Sequence, residues 1–269
     1  MSATASLGRA LLNAVATVLI VLALWQAVIS LTSISPYVAK GPADVWSYLF
    51  VDDPDARATA AAHRAELWAL TRTSLGDAGI GFVVGMTTAV VLAVLFTLSK
   101  AVEAGVMPLA LLLRSIPLVS IAPVIILVTG RGTTASVAVI GTIVVLFPAL
   151  ASVLFGLSRA SRESLDLVRV YGGGSFAALA KVALPGALPS LFAAARVSVP
   201  GAVTGALLAE WLSTGQGVGG AIQKFNASAR FDDLWASVAI ITAVTLLLYN
   251  LVQLLETAVL ARMGMSAAQ

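Results

Sequence analysis

Asp166-Leu167-Val168-Arg169-Val170-Tyr171-Gly172-Gly173-Gly174-Ser175, continuing to Val182-Ala183-Leu184-Pro185, is the stretch that decides the fold of this chain. It is polar and broken by glycines, and it lies between two long apolar runs. Residues 161–171 have the composition of a short helix, with Ser161 or Arg162 near its start. Gly172-Gly173-Gly174 ends that helix, because glycine accepts positive φ and brings no side-chain bulk. Ser175 is placed to cap a second short helix running through Lys181. Pro185 and Pro189 close that segment and open the next apolar run. Two short helices joined by a glycine elbow make a rigid protrusion. On polarity alone, the same stretch also reads as a hairpin loop stabilised by glycines and basic residues.

The surroundings of this island are those of a membrane protein. The chain has 269 residues, of which 59% are hydrophobic and 11% charged, and its mean hydropathy is +0.98. Soluble domains carry about 25% charged residues, and a chain of this length could not hide so much apolar surface from water. The net charge of +3 suits basic loops beside a bilayer, and no basic cluster marks a nucleic-acid surface. There is no cysteine, which excludes disulfides, thiolate metal sites and a cysteine nucleophile. His63, the one histidine, lies in a polar stretch and reads as an inert exposed side chain. No other metal-ligand set is apparent.

The expected fold is all-α, a polytopic membrane protein with about six transmembrane helices. A crossing needs roughly 20 mostly apolar residues. Candidate spans are 11–31, 73–98, 104–128, 133–157, 187–211 and 234–260. Arg9 before the first span gives it some character of a signal peptide, but its apolar length and the lack of a small-residue cleavage site favour a retained helix. The resulting organisation is an N-terminal transmembrane helix (1–35), a loop (36–72) that is extracytoplasmic if the amino terminus lies inside, and a transmembrane core (73–262) holding the polar loop 158–186 between helices four and five. Orientation is not fixed by charge. With the amino terminus inside, seven basic residues fall on each face: Arg9, Lys100, Arg159, Arg162, Arg169, Lys181 and Arg262 against Lys40, Arg57, Arg64, Arg72, Arg131, Lys224 and Arg230. The positive-inside rule therefore does not choose. The acidic residues Asp44, Asp52, Asp53, Asp55, Glu66, Asp232 and Asp233 lean to the other face.

The spacing of the island resembles the cytoplasmic coupling loop of the membrane subunits of bacterial ABC importers. That family pattern is Glu-Ala-Ala, three residues, Gly, nine residues, Ile, any residue, Leu-Pro. Gly172 and Leu184-Pro185 fall in register, and Val182 stands at the Ile position; the opening triplet departs, being Asp166-Leu167-Val168. The likeness continues over about residues 36–262 and is greatest to the permeases of the nitrate, sulfonate and taurine importer group. It is carried by Pro36 and Pro42, Gly81-Phe82 with Gly85, Leu113-Arg114-Ser115-Ile116-Pro117-Leu118 with Pro123, Ala195-Arg196-Val197, Ala209-Glu210-Trp211, and the turn at Gly215, Gly217 and Gly219. The Val128-Thr129-Gly130 end of the third span departs from the group, which often has an aromatic there.

The resemblance implies a permease subunit of an ATP-driven importer in the bacterial cell (inner) membrane, with both termini cytoplasmic. Its implied partners are a second, identical or similar permease subunit, two cytoplasmic ABC ATPases gripping residues 166–185, an extracytoplasmic substrate-binding protein, and the lipid bilayer. The chain itself would catalyse nothing and hold no cofactor. No G-x-x-x-x-G-K-[ST] occurs in it, so ATP and Mg²⁺ are expected on the partner ATPase. The solute would be small and polar: a sulfonate, nitrate, taurine or the like. Glu210-Trp211 looks more like relatives that move thiamine-precursor pyrimidines or other flat heterocycles. An ion-coupled secondary carrier is the rival from another class, but no internal repeat is visible between the two halves.

Charges inside apolar spans point to a pathway, since charge in hydrocarbon is costly. Arg114 lies ten positions into the third span and Arg196 nine into the fifth, a common depth of roughly 14–15 Å at 1.5 Å per residue. Glu210 stands near the other end of the fifth span, and Asp77 reads as interfacial. Arg114, Arg196 and Glu210 are candidates for a substrate path between spans three and five; alternatively each arginine snorkels or pairs, with Glu256 as one partner. Pro117, Pro123, Pro148 and Pro200 are expected to kink their helices. Gly215–Gly220 formally matches G-x-G-x-x-G but follows a membrane helix rather than a strand, which removes dinucleotide binding. Gly81 with Gly85, and Gly201 with Gly205, fit G-x-x-x-G and are expected to permit close packing within the bundle.

Overall fold

The computed structural model describes residues 3–54 and 58–264, with side-chain surroundings from Ala16 onward. Asp55 and Arg57 lie outside the described residues, and so does the side chain of Arg9. The elements in order are α1 (Ala3–Leu31), α2 (Pro42–Phe50), α3 (Ala60–Leu98), α4 (Lys100–Ser115), α5 (Leu118–Thr129), α6 (Thr134–Ser158), α7 (Arg162–Val170), α8 (Ser175–Ala178), a π-helical turn (Leu179–Ala183), α9 (Leu184–Gly186), α10 (Leu188–Ala209), a second π-helical turn (Glu210–Thr214), α11 (Gly217–Ala227) and α12 (Phe231–Arg262). No strand occurs among the described residues, so the all-α expectation holds.

Four of the expected spans are single helices long and apolar enough to cross a membrane: Ala60–Leu98, Thr134–Ser158, Leu188–Thr214 and Phe231–Arg262. The first span corresponds to α1, whose described apolar part, Ala16–Leu31, is shorter than a full crossing. The third expected span is not one kinked helix. It is two helices, α4 and α5, bent by 110°. Pro117 is the cause. A proline disfavours α geometry in the residue before it, and here Ile116 is extended at φ −83° and ψ 125°. Pro117 then starts α5. The straight-helix depth assigned to Arg114 therefore does not apply. Pro123, Pro148 and Pro200 sit inside α5, α6 and α10 without ending them.

The chain forms two compact units, Met1–Trp68 with Ile222–Ala239, and Ala69–Ala221 with Ile240–Gln269. The second unit is built on α6 and α10. α10 turns small residues inward (Ala194, Ser198, Ala202, Gly205, Ala206, Ala209), and α6 meets them with Val137, Ile140, Gly141, Val145 and Ala149. Small residues let helix backbones approach where no hydrophobic effect drives helices together. Gly141 is a close crossing point. A Cβ added to Gly81 of α3 would stand 2.9 Å from Gly141 Cα, and one added to Gly205 of α10 would stand 3.0 Å from the same atom. The expected small-residue packing thus takes the form of two helices meeting a third at one glycine. α5 completes this side, with Ala122 buried against Val137, Ile140 and Ala209.

In the first unit, α2 buries Val45 and Leu49, Trp25 stacks on Trp235 at 5.8 Å, and the Trp235 indole donates to the Val38 carbonyl at 2.8 Å. Its polar centre is Tyr48. The Tyr48 hydroxyl donates to Asp233 Oδ1 at 2.6 Å and lies 2.7 Å from His63 Nδ1. With its one hydrogen committed to Asp233, the phenol oxygen accepts from Nδ1–H of His63. Burial first, and Asp233 next, raise the Tyr48 phenol above its ordinary range, so it remains a donor. Arg230 bonds the other oxygen of Asp233 at 2.8 Å and also reaches Glu66. His63 is thus part of a bonded chain rather than the inert exposed residue expected from its neighbours.

Candidate functional site

The polar loop forms as a helix, an elbow and a second helix. Ser161 caps α7 by accepting from the Ser164 amide at 3.1 Å. After α7 the Gly173 amide returns to the Val168 carbonyl at 2.8 Å and the Tyr171 amide to that of Leu167 at 3.2 Å, a glycine-closed C-terminus. Two of the three glycines have distinct duties. Gly172 takes φ +79°, while Gly173 packs so close to Val168 that a Cβ would stand 2.9 Å from the Val168 carbonyl. Gly174, not Ser175, precedes the first residue of α8, and no side chain caps it.

Between α8 and α9 the helix widens into a π turn, with the Leu184 amide bonding five residues back to Leu179. The cause lies one residue ahead. Pro185 has no amide hydrogen, and its ring would strike the carbonyl four residues earlier in a regular α-helix. The inner face of this arm is Ala178, Leu179, Ala183 and Ala187, all buried.

The outer face is apolar and exposed. Leu167, Val170 and Tyr171 share one side of α7, and Phe176 opens α8; their exposures are 58%, 82%, 84% and 70%. Leu165 and Val168 face the other way and are half-buried. Exposed apolar side chains grouped on an ordered loop mark an interaction surface. Of the residues singled out from the motif, Asp166 is exposed and pairs with Arg169 at 2.9 Å, a surface contact worth little by itself. Val168 packs on Gly173, Val182 is half-buried in the π turn, and Leu184 and Pro185 are exposed. Tyr171 and Phe176 were not singled out from the sequence; aromatic residues beside a glycine elbow in a polar loop were the available signal.

The three intramembrane charges have separate surroundings. Arg114 ends α4 at the break and lines a cavity of about 710 Å³ with Ser115, Pro117, Phe147 and Ser152. Its guanidinium lies 4.3 Å from the centre of the Phe147 ring. Arg196 pairs with Glu256 at 3.2 Å, Glu256 being 1% exposed, and lies over the Tyr249 ring at 5.9 Å; pairing with Glu256 was one of the two alternatives.

Glu210 is fully buried. Its carboxylate accepts from Ser74 Oγ at 2.8 Å and from the Gly219 amide at 2.8 Å, with Asp77 beside it. Asp77 is thus a neighbour of Glu210 rather than only an interfacial residue. The second π turn follows at once, the Gly215 amide reaching the Glu210 carbonyl at 2.7 Å. It turns Ser213 toward α6, where it bonds Ser136 at 2.9 Å and the Gly132 amide at 3.0 Å. Ser74, Ser136 and Ser213 passed unnoticed in the sequence because a serine in an apolar span carries no periodic signal. Among the described residues, no group of His, Asp and Glu could hold a metal ion.

The comparisons with known proteins agree with this architecture. The chain is similar to a probable ABC transporter permease protein of Haemophilus influenzae, with 29% identity over 230 residues, 86% of this chain and 89% of that protein. A riboflavin transport system permease protein of Chloroflexus aurantiacus is 28% identical over 242 residues, 89% of this chain and 86% of that one. The fold is that of a solved amino acid ABC transporter with histidines, at a TM-score of 0.57 and 15% identity, covering 72% of this chain and 96% of the other. The profile of binding-protein-dependent transport system inner membrane components matches residues 81–265, and the chain belongs to that family.

Proposed function

We propose that this chain is the membrane-spanning permease subunit of an ATP-driven, binding-protein-dependent importer of a small polar solute. Residues 158–186 would lie in the cytoplasm as the docking element for an ABC ATPase, and both termini would lie on that side. The observation that carries this reading is the exposed surface of Leu167, Val170, Tyr171 and Phe176, set on an elbow that Gly172 and Gly173 hold in one shape. Two permease subunits would flank the path, an extracytoplasmic binding protein would deliver the solute, and ATP and Mg²⁺ would be held by the ATPase. The chain itself carries no catalytic role. ATP-driven closure of the ATPases would then push on α7 and on the arm from Ser175 into α10.

Arg114 is the residue we place on the solute path, because it lines a cavity of about 710 Å³, whereas Arg196 is paired with Glu256 and Glu210 is fully buried. A guanidinium suits a sulfonate, nitrate or taurine-like anion. A flat heterocycle is the second reading. It is favoured by the ring of Phe147 beneath Arg114 and by the likeness to a riboflavin permease.

Sidedness tests the reading. The chain has no cysteine, so Ser175→Cys and Ser228→Cys report without background, and both positions are exposed. An impermeant thiol reagent should label Ser228→Cys in intact cells and Ser175→Cys only in inverted vesicles. Labelling of Ser175→Cys in intact cells would remove the ATPase-docking role.

A further inference from the structure

Glu210 invites reading as a pathway charge, yet its surroundings describe a different duty. It is fully buried, and so are Ser74 and Val218. The Ser74 hydroxyl donates to Glu210 Oε2 at 2.8 Å and accepts from the Val218 amide at 2.8 Å. The Gly219 amide donates to the same Glu210 oxygen at 2.8 Å. Val218 and Gly219 are in the first turn of α11. The first amides of a helix have no partner within it, and the positive end of the helix dipole favours a carboxylate there. Two of those amides are therefore satisfied by side chains brought from α3 and from the end of α10. Gly217, just before them, has φ +58°, and the space where its Cβ would stand is filled by the Glu210 carboxylate.

We propose that Glu210 is the fastening of α11. With Ser74 it caps that helix from outside and ties it to α3 and α10, and it acts as a positioning residue rather than as a charge met by the solute. What the cap needs is an acceptor oxygen at this point. A glutamine keeps one; an alanine leaves two buried donors without partners, which is costly. The neighbouring charged group is Asp77, a second carboxyl and not a cation, so Glu210 is not built as half of an ion pair.

The test reads the start of α11 directly. Ala221 is 5% exposed, and Ala221→Cys would be the only thiol in the chain. With the full-length protein in lipid nanodiscs, both faces open to reagent, maleimide labelling of Ala221→Cys should be slow. Adding Glu210→Ala should speed it by about tenfold, as expected for loss of a buried hydrogen-bond partner. Ser74→Ala, a milder change, should act in the same direction, and the two together should add little to either, since they break one network. Glu210→Gln should stay close to the parent.

Unchanged labelling in both alanine variants would overturn the proposal. So would a Glu210→Gln variant that labels as fast as Glu210→Ala, because the charge rather than the acceptor would then be what matters. Uptake by the assembled transporter is the second arm, and it rests on the transport reading. Native labelling together with abolished uptake in Glu210→Gln would place the charge on the solute path and overturn the positioning role. The labelling arm needs no transport and can fail or succeed independently of it.

Discussion

Gly172 sits in a left-handed turn at φ +79° with nothing within 4 Å of where a Cβ would stand. A substitution there meets no steric wall; its cost is conformational, about 1–2 kcal/mol for a residue forced into left-handed geometry. A β-branched residue is the worst tolerated. Gly172→Val should therefore insert at normal abundance but reshape the elbow, and stimulation of the partner ATPase by solute-loaded binding protein should fall severalfold. Wild-type stimulation would argue that the elbow angle does not matter. Tyr48 offers a contrast, because its importance is bonded rather than conformational. Tyr48→Phe removes the hydroxyl between His63 and Asp233, at about 1 kcal/mol or more for a half-buried hydrogen-bonded group. It should lower the apparent melting temperature in detergent by several degrees. Tyr37→Phe, which loses only a 3.2 Å exposed bond to the Ala229 carbonyl, should barely change it.

At the scale of elements, long apolar runs announced α3, α6, α10 and α12, because length and composition are what a bilayer reads. Gly172 and Leu184-Pro185 announced the loop, since their spacing is a property of the sequence itself. The 110° break at Ile116 was harder to see. Pro117 was visible, but a membrane proline is compatible with a kink, and only the extended Ile116 makes it a corner. The π turns were invisible for a related reason: a helix one residue wider per turn keeps the composition of its α neighbour. The polar partners of the buried charges were legible in part. Glu256 could be suggested for Arg196 because both are charged; Ser74 could not be suggested for Glu210, because it comes from a distant helix and looks ordinary. Arg196→Met alone, which strands the buried Glu256, should therefore be worse tolerated than a joint Arg196→Met/Glu256→Leu change. A buried charge stripped of its partner costs about 3–5 kcal/mol, whereas replacing both partners is often neutral. Abundance of the inserted protein, measured by quantitative blotting, separates the two.

At the scale of the whole molecule, the sequence carries no G-x-x-x-x-G-K-[ST] motif, and in the proposed reading the chain would be moved by the ATPases it touches. Arg114 is where the proposed solute path can be tested. If it only snorkels, lysine should serve nearly as well. If it holds an anion or stacks on Phe147, lysine loses the planar five-donor fork. Arg114→Lys should then reduce uptake about tenfold in vesicles supplied with saturating binding protein, and Arg114→Gln at least as much, both at normal abundance. Normal uptake by Arg114→Gln would take this residue off the path.

The glycine crossing at Gly141 has a consequence for what mutation can do here. Gly81 and Gly205 belong to two different helices, yet both meet α6 at the same Cα. The two contacts are not equivalent: a methyl group at Gly141 would stand 2.6 Å from Gly81 Cα and so wedge α3 away from α6, and shrinking that neighbour cannot relieve it, since it is already a glycine. A methyl group at Gly205 would open the other contact, between α10 and α6, so each helix is held to α6 by a separate absence of side chain.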